Sequence, residues 1–348
     1  MMDPAYLLAK SFGEKGSLFG RRIYEELAES PSLTDLVNAL RATKYSSELA
    51  KISPPYSGLK IEHALRRSLI ETHFKYHRLM RKNEVLNALY YRYIARNLKI
   101  IFRGLATGKT HEELMKLIDM RAEELMGIRE IVVTAMSASS LKEAVDALHQ
   151  AVFGNALLEA YQLFEKTQDP AVFEFRLDKA VVELILRAIK KSEMMDRKLY
   201  RELLYPMIDS IVVTGILRLK MWGVSPPDCR RLMDGIKSRL PPVVMNLLYE
   251  SNKIEDILKG LELVKSGILP KFSPQPDFLA LVRELEEGFY KMTVTNAKKI
   301  FLKTRSSKVL TVASILLREN EVSNLIAIAA GIESRVPTKR ILDKIFIP

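Results

Sequence analysis

Cysteine is nearly missing from this chain. Its single copy, Cys229, has no partner for an internal disulfide, and a cysteine-rich metal site is excluded with it. The thiol stands in Pro226-Pro227-Asp228-Cys229-Arg230-Arg231, at the expected start of a helix, and reads as structural rather than nucleophilic. Long apolar runs are missing too. Val309 to Leu317 and Leu325 to Ile332 are separated by Arg318-Glu319-Asn320-Glu321, so neither reaches the ~20 residues a bilayer crossing needs. The opening Met1-Met2-Asp3-Pro4 lacks the basic start, apolar run and small-residue cleavage site of a secretory signal, so a reducing, cytoplasmic setting is expected. No stretch alternates with period two for long, which leaves strands a minor role at most. The fold is expected to be all-α.

Motifs that carry chemistry are equally scarce. Gly104-Leu105-Ala106-Thr107-Gly108-Lys109-Thr110 resembles a phosphate-binding loop but has one residue too few between its glycines. It also follows a helical segment, Asn97 to Arg103, where that motif requires a strand, so Gly108 reads as a left-handed cap that ends a helix. His63, His73 and His77 share one helix without the third and fourth ligands of a zinc site, and read as exposed helix histidines. No Ser/His/Asp set or pair of carboxylates stands out. Neither an enzyme, a cofactor nor a metal is expected.

Positive charge is what the chain has in excess. The formal net charge is +12 and the isoelectric point is near 9.5, which favours acidic company: nucleic acid, anionic headgroups or an acidic protein. The cations are spread singly along helix faces, as at Arg66-Arg67, Lys75 and Arg78, so they read first as a solvated surface. Tyr90, Tyr91, Tyr93, Arg96 and Lys99 interleave aromatic and basic residues as a base-stacking surface does, and a basic RNA-binding or scaffold protein is the alternative function. Their helical spacing on an otherwise apolar helix points instead to core packing.

A pattern also recurs at a spacing of a little over a hundred residues. Ser32-Leu33-Thr34-Asp35-Leu36-Val37-Asn38-Ala39-Leu40 is matched by Ser140-Leu141-Lys142-Glu143-Ala144-Val145-Asp146-Ala147-Leu148, and again by Lys253-Ile254-Glu255-Asp256-Ile257-Leu258-Lys259-Gly260-Leu261. Each places apolar residues on one helical stripe with carboxylates toward solvent. Tyr90 and Tyr205, then Arg103 and Arg218, keep the same phase, and Gly108, Gly223 and Gly331 are expected to end equivalent apolar helices. Proline breaks follow at Pro54-Pro55, at Pro170, and at Pro270, Pro274 and Pro276. Such a period is too long for the common solenoids of roughly 20 to 50 residues. It predicts three small helical bundles about a pseudo-threefold axis, spanning residues 1–125, 126–238 and 239–348.

Four segments, in this order, resemble the C subunit of the archaeal or A-type ATP synthase, which corresponds to the d subunit of the vacuolar ATPase. They are Tyr6-Leu7-Leu8-Ala9, Leu40-Arg41-Ala42-Thr43-Lys44-Tyr45, Tyr90-Tyr91 leading to Asn97, and Glu319-Asn320-Glu321-Val322-Ser323-Asn324-Leu325. The resemblance implies three similar bundles forming a funnel, and a non-catalytic coupler between the membrane proteolipid ring and central-stalk shaft subunits of the D and F type. It further implies torque transmission at the cytoplasmic face of the membrane, possible contact with anionic lipid headgroups, and no nucleic-acid partner. On that reading the cations at the ends of the apolar helices, Arg103, Lys109, Arg218, Lys220, Arg335 and Lys339, are candidate interface residues forming a positive rim. The same cations also suit helix C-terminal dipoles.

Overall fold

The computed structural model describes residues 4–80, 82–273 and 277–348. The expected breaks at Pro274 and Pro276 lie outside the described residues. Among the described residues there are nineteen α-helices and no strand, only an isolated bridge between Ser266 and Leu269, so the chain is all-α.

The helices come in a recurring order. First come α1 (Pro4–Gly16), α2 (Arg21–Ala28), α3 (Leu33–Arg41), α4 (Ser46–Leu49), the long pair α5 (Gly58–Leu79) and α6 (Glu84–Ala106), then α7 (His111–Leu117) and α8 (Arg121–Met126). Next are α9 (Glu130–Ser137), α10 (Leu141–Ala147), α11 (Gly154–Thr167), the long pair α12 (Ala171–Lys191) and α13 (Met194–Met221), then α14 (Pro226–Met233) and α15 (Pro242–Glu250). Last come α16 (Ile254–Glu262), the long pair α17 (Phe278–Ile300) and α18 (Ser307–Glu333), and the short α19 (Thr338–Leu342).

The short repeated segments became α3, α10 and α16. In the first two copies the inside–outside pattern agrees from Leu33 to Leu40 and from Leu141 to Leu148: Leu36, Val37 and Leu40 are buried, as are Ala144, Val145 and Leu148, and the residues between them are exposed. Both copies start on a serine cap, Ser32 accepting from the Asp35 N–H at 3.3 Å and Ser140 from the Glu143 N–H at 3.2 Å. The third copy begins at Lys253 without such a cap, and Ile257 and Leu261 carry its buried stripe.

The chain divides into two compact units. One comprises residues 1–97, 112–132 and 297–348, the other residues 98–111 and 133–296. The division falls inside α6 and near the end of α17, so the last long helix folds with the N-terminal segments. There α18 packs on α1 and α5. Its sequence explains the position: Val309, Leu310, Val312, Ala313, Val322, Leu325 and Ile328 are buried on several faces, and a helix apolar nearly all round belongs in a core. Leu36, Leu40, Tyr45, Ile61, Leu65 and Leu69 meet it from the N-terminal side of the chain.

In the second unit α12 is sandwiched by α11 and α13, with Phe173, Leu177, Val181 and Ile185 inside. Here α13 runs through Pro206, which has no N–H to donate to the Glu202 carbonyl one turn back. Asn296 supplies the missing donor, its Nδ2 reaching that carbonyl at 2.9 Å.

Candidate partner interface

Each long pair closes its second helix in the same way. Gly108 after α6 takes φ 72°, Gly223 after α13 takes 69°, and Arg335 after α18 takes 53°. The next N–H then reaches five residues back: Lys109 to the Gly104 carbonyl at 2.9 Å, Val224 to Leu219 at 3.0 Å and Val336 to Gly331 at 2.8 Å. This is the closure of a Schellman cap. A short helix starts three residues after each left-handed position, as α7, α14 and α19.

Gly331 does not take the turn expected of it. It remains helical, and its bare Cα faces α19 so closely that a Cβ there would lie 2.6 Å from Ile341 Cγ1. The left-handed position falls to Arg335, where a residue with a Cβ carries a cost of ~1 to 2 kcal/mol that glycine avoids.

The six candidate cations divide into two kinds. Arg103 and Arg218 stand at the same place in their helices and are tied down, to Glu174 at 3.0 Å and to Glu286 at 2.8 Å. In each case the partner lies on the first helix of the next long pair, α12 or α17, so these arginines link successive long pairs within one unit. Lys99 on α6 extends the pattern by pairing with Asp178 of α12. Burial raises the Glu286 carboxyl above its usual range, with the Arg218 charge opposing. Lys220 is half-buried and donates to the Tyr249 carbonyl at 2.7 Å, and desolvation lowers its ammonium below the ordinary lysine value. By contrast, Lys109, Arg335 and Lys339 are exposed and make no ion pair among the described residues. Arg335 and Lys339 belong to the first compact unit and the other four to the second.

A cavity of about 570 Å³ lies beside the second turn, bordered by Lys166, Trp222, Gly223, Ser225, Asp228 and Arg231. Ser225 caps α14 there, and Trp222 Nε1 donates to Asp169 at 2.7 Å.

Buried polar clasps join distant segments within the first compact unit. Glu321, on α18, accepts from Tyr45 Oη and from Lys44 Nζ, each at 2.6 Å, and from the Phe19 N–H at 2.5 Å. The Arg318 guanidinium covers the Tyr45 ring 4.6 Å from its centre. Burial, reinforced by the Glu321 charge, holds the Tyr45 phenol far above its usual range, and burial lowers the Lys44 ammonium although Glu321 opposes it. Asn320 and Asn324 both donate to the Phe346 carbonyl at 2.9 Å, which fixes the C-terminal segment. Two of the segments that carry the family resemblance, Leu40 to Tyr45 and Glu319 to Leu325, thus meet as one clasp.

A second clasp involves a third such segment. Asn97 donates to the Asp119 carbonyl at 2.8 Å and to Glu123 Oε1 at 2.9 Å, and Tyr90 Oη donates to the Ala122 carbonyl at 3.2 Å. Glu123 is fully buried with its other oxygen unpartnered, and burial pushes its carboxyl up to about 7. Tyr90 is itself fully buried among Ile70, Ala122 and partly buried Phe74 and Tyr93, as packing rather than base stacking predicts.

His73 corrects an expectation. It is fully buried, while His63 and His77 are half-buried, because the buried face of α5 is broad enough to include Ser68, Ile70 and His73 beside the expected apolar stripe. His73 Nε2 donates to the Leu86 carbonyl at 2.9 Å, and Nδ1 accepts from Tyr93 Oη at 3.1 Å. Desolvation lowers its imidazole to about 3, so it is neutral and structural. Among the described residues no cluster of His, Cys, Asp and Glu is arranged to hold a metal ion, and no helix is long and apolar enough to cross a membrane.

Helix hairpins with matching caps, joined by internal ion pairs, define an all-α hairpin protein among the described residues. The family described as ATP synthase (C/AC39) subunit matches residues 7–344, and the chain belongs to it. The A-type ATP synthase C subunit of Methanocaldococcus jannaschii is 24% identical, over 94% of this chain and 82% of the relative. The C subunit of Haloferax volcanii is 24% identical over 95% and 94%, and that of Halorubrum lacusprofundi 24% over 99% and 98%. The chain is therefore a structural, non-catalytic part of a rotary ATP synthase complex, and its partners are other subunits of that complex.

Proposed function

We propose that this chain is the coupler of the complex, joining the central rotor shaft to the membrane proteolipid ring and transmitting torque between them during ATP synthesis or ion pumping. Family membership over nearly the full length carries the reading. The recurring capped hairpins support it, because three like helix ends on one chain offer repeated docking points to a ring or shaft. In this proposal residues 1–125, 126–238 and 239–348 are three related bundles about an axis, and the protein sits peripherally at the cytoplasmic face. Torque requires a stiff body. Interiors at crystal-like density resist compression, and the Glu321 and Asn97 clasps add directional ties between distant segments.

The positive rim forms part of the same proposal, led by Lys109, Arg335 and Lys339, whose charges are not engaged by ion pairs among the described residues. Purification of the tagged chain from native membranes, with mass identification of the proteins retained on it, tests the coupling role. Recovery of proteolipid and shaft subunits together is expected, and recovery of neither would end the proposal. Charge reversal at Lys109, Arg335 and Lys339 together is expected to weaken binding to isolated proteolipid ring, whereas unaltered binding would remove the rim.

A further inference from the structure

The turn between α17 and α18 lies in a long basic stretch without carboxylates and carries the most exposed large apolar side chain among the described residues. From Gly288 to Arg318 there is no aspartate or glutamate, while Lys291, Lys298, Lys299, Lys303, Arg305, Lys308 and Arg318 are all cationic. At the tip Leu302 is 84% exposed, although its neighbours Ile300 and Phe301 are buried. An isolated leucine this bare is common on protein surfaces. Here it stands on a built platform.

Phe301 is held edge-on by Phe12 of α1 at 5.3 Å, and Phe12 is itself 37% exposed beside the tip. Lys15 Nζ lies 4.9 Å from the Phe301 ring centre, and the Arg305 guanidinium lies 5.5 Å from that of Phe12. Arg305 also ties the turn to itself by donating to the Phe301 and Thr304 carbonyls at 3.3 Å. Asn83 donates to the Lys308 carbonyl at 3.0 Å, which anchors the start of α18 to the turn before α6. The tip is thus a fixed apolar knob, Leu302 with Phe12 at its base, beside Lys15, Lys299 and Arg305. The carboxylate of α1, Glu14, is turned toward Arg318 at 4.0 Å.

We propose that this tip docks on an anionic lipid surface, with Leu302 entering the headgroup layer and the neighbouring cations meeting lipid phosphates. The geometry favours a bilayer over an acidic polypeptide. A peptide needs a groove or an open backbone edge to add directed contacts, whereas a protruding knob can be enclosed from all sides by mobile headgroups. Charge and shape then act together, since an amphipathic surface binds by apolar burial plus attraction to anionic lipid. The inference deepens the proposed placement at the membrane by naming the part of the chain that meets lipid. It is independent of ring contact.

Sedimentation of the full chain alone with phosphatidylcholine vesicles, with and without phosphatidylglycerol, tests the inference. Binding is expected only to the anionic vesicles, and it should be lost at high salt. Replacing Lys299 and Arg305 together by glutamine should weaken it about twenty-five-fold, at about fivefold per cation near a charged surface. Leu302→Ser should weaken it about tenfold through lost apolar burial, with no effect on the fold at so exposed a position. Failure to bind anionic vesicles, or equal binding to neutral ones, would overturn the inference. So would salt-sensitive binding that ignores Leu302→Ser, which marks a charge-only site of the kind an acidic polypeptide uses. None of these failures touches the coupling proposal, which is read from copurified subunits.

Discussion

Replacing Glu123 by glutamine should stabilise this protein in alkaline solution while doing much less in acid. The carboxyl is fully buried, one oxygen accepts from Asn97 at 2.9 Å, and the other has no partner. Burial is the largest influence on it, Asn97 opposes by favouring the ionised form, and the nearby Asp119 charge raises it further, to about 7 against an ordinary 4.5. The folded value lies above the unfolded one, so the full stability is present below pH 4.5 and is lost as the pH rises through 7. Between pH 5 and pH 8 the loss amounts to about 2 to 3 kcal/mol, taking 1.36 kcal/mol per pH unit.

Glutamine keeps the shape of the protonated acid and its acceptor for Asn97 but cannot ionise. Urea unfolding of both proteins at pH 5 and pH 8, compared by extrapolated free energies, isolates this one group because every other titration cancels in the difference. The variant should gain about 2 kcal/mol more, relative to the parent, at pH 8 than at pH 5. An identical difference at the two pH values would show that Glu123 is ionised in the folded state across this range, and the desolvation reasoning would be wrong.

His73 should give the opposite slope. With a folded value of about 3 against an ordinary 6.5, its neutral form is favoured on folding, so about 2 kcal/mol should be lost between pH 7.5 and pH 5, and His73→Gln should abolish that part of the slope. Glu321→Gln should cost about 3 to 5 kcal/mol by leaving Lys44 as an unpaired, largely buried cation, visible as a fall in the denaturant midpoint. Adding Lys44→Met should restore part of the loss; a strictly additive double variant would deny the pairing. Gly108→Ala and Gly223→Ala should each cost about 1 kcal/mol at their left-handed turns, while Arg335→Gly should gain a few tenths; melting curves that rank them otherwise would refute the shared cap.

Local chemistry made much of the fold readable. The repeated segments announced α3, α10 and α16 because a 3.6-residue period needs only neighbours to declare itself, and the glycines at 108 and 223 announced caps because a positive φ favours that residue. Arg335 gave no such sign. Its left-handed turn brings α19 back against Gly331, a packing arrangement that the residue at 335 does not itself announce. The candidate cations illustrate the same divide. Helix ends rich in Lys and Arg were legible, but nothing nearby distinguished Arg103 and Arg218, which are held by Glu174 and Glu286, from Lys109 and Lys339.

By itself the sequence determined helix, period and charge: an all-α chain of recurring hairpins, without a span or a metal cluster expected, and family membership readable from four short segments. Only the tertiary structure decided what those segments do. Tyr45 and Glu321 lie 276 positions apart, and the pair exists because α18, apolar on several faces, can shed water only by folding among helices made at the start of the chain. Burial then shifted the titration of His73 down and of Glu123 up, since the cost of an ion depends on the water taken from it, a quantity set by packing rather than by neighbours in sequence.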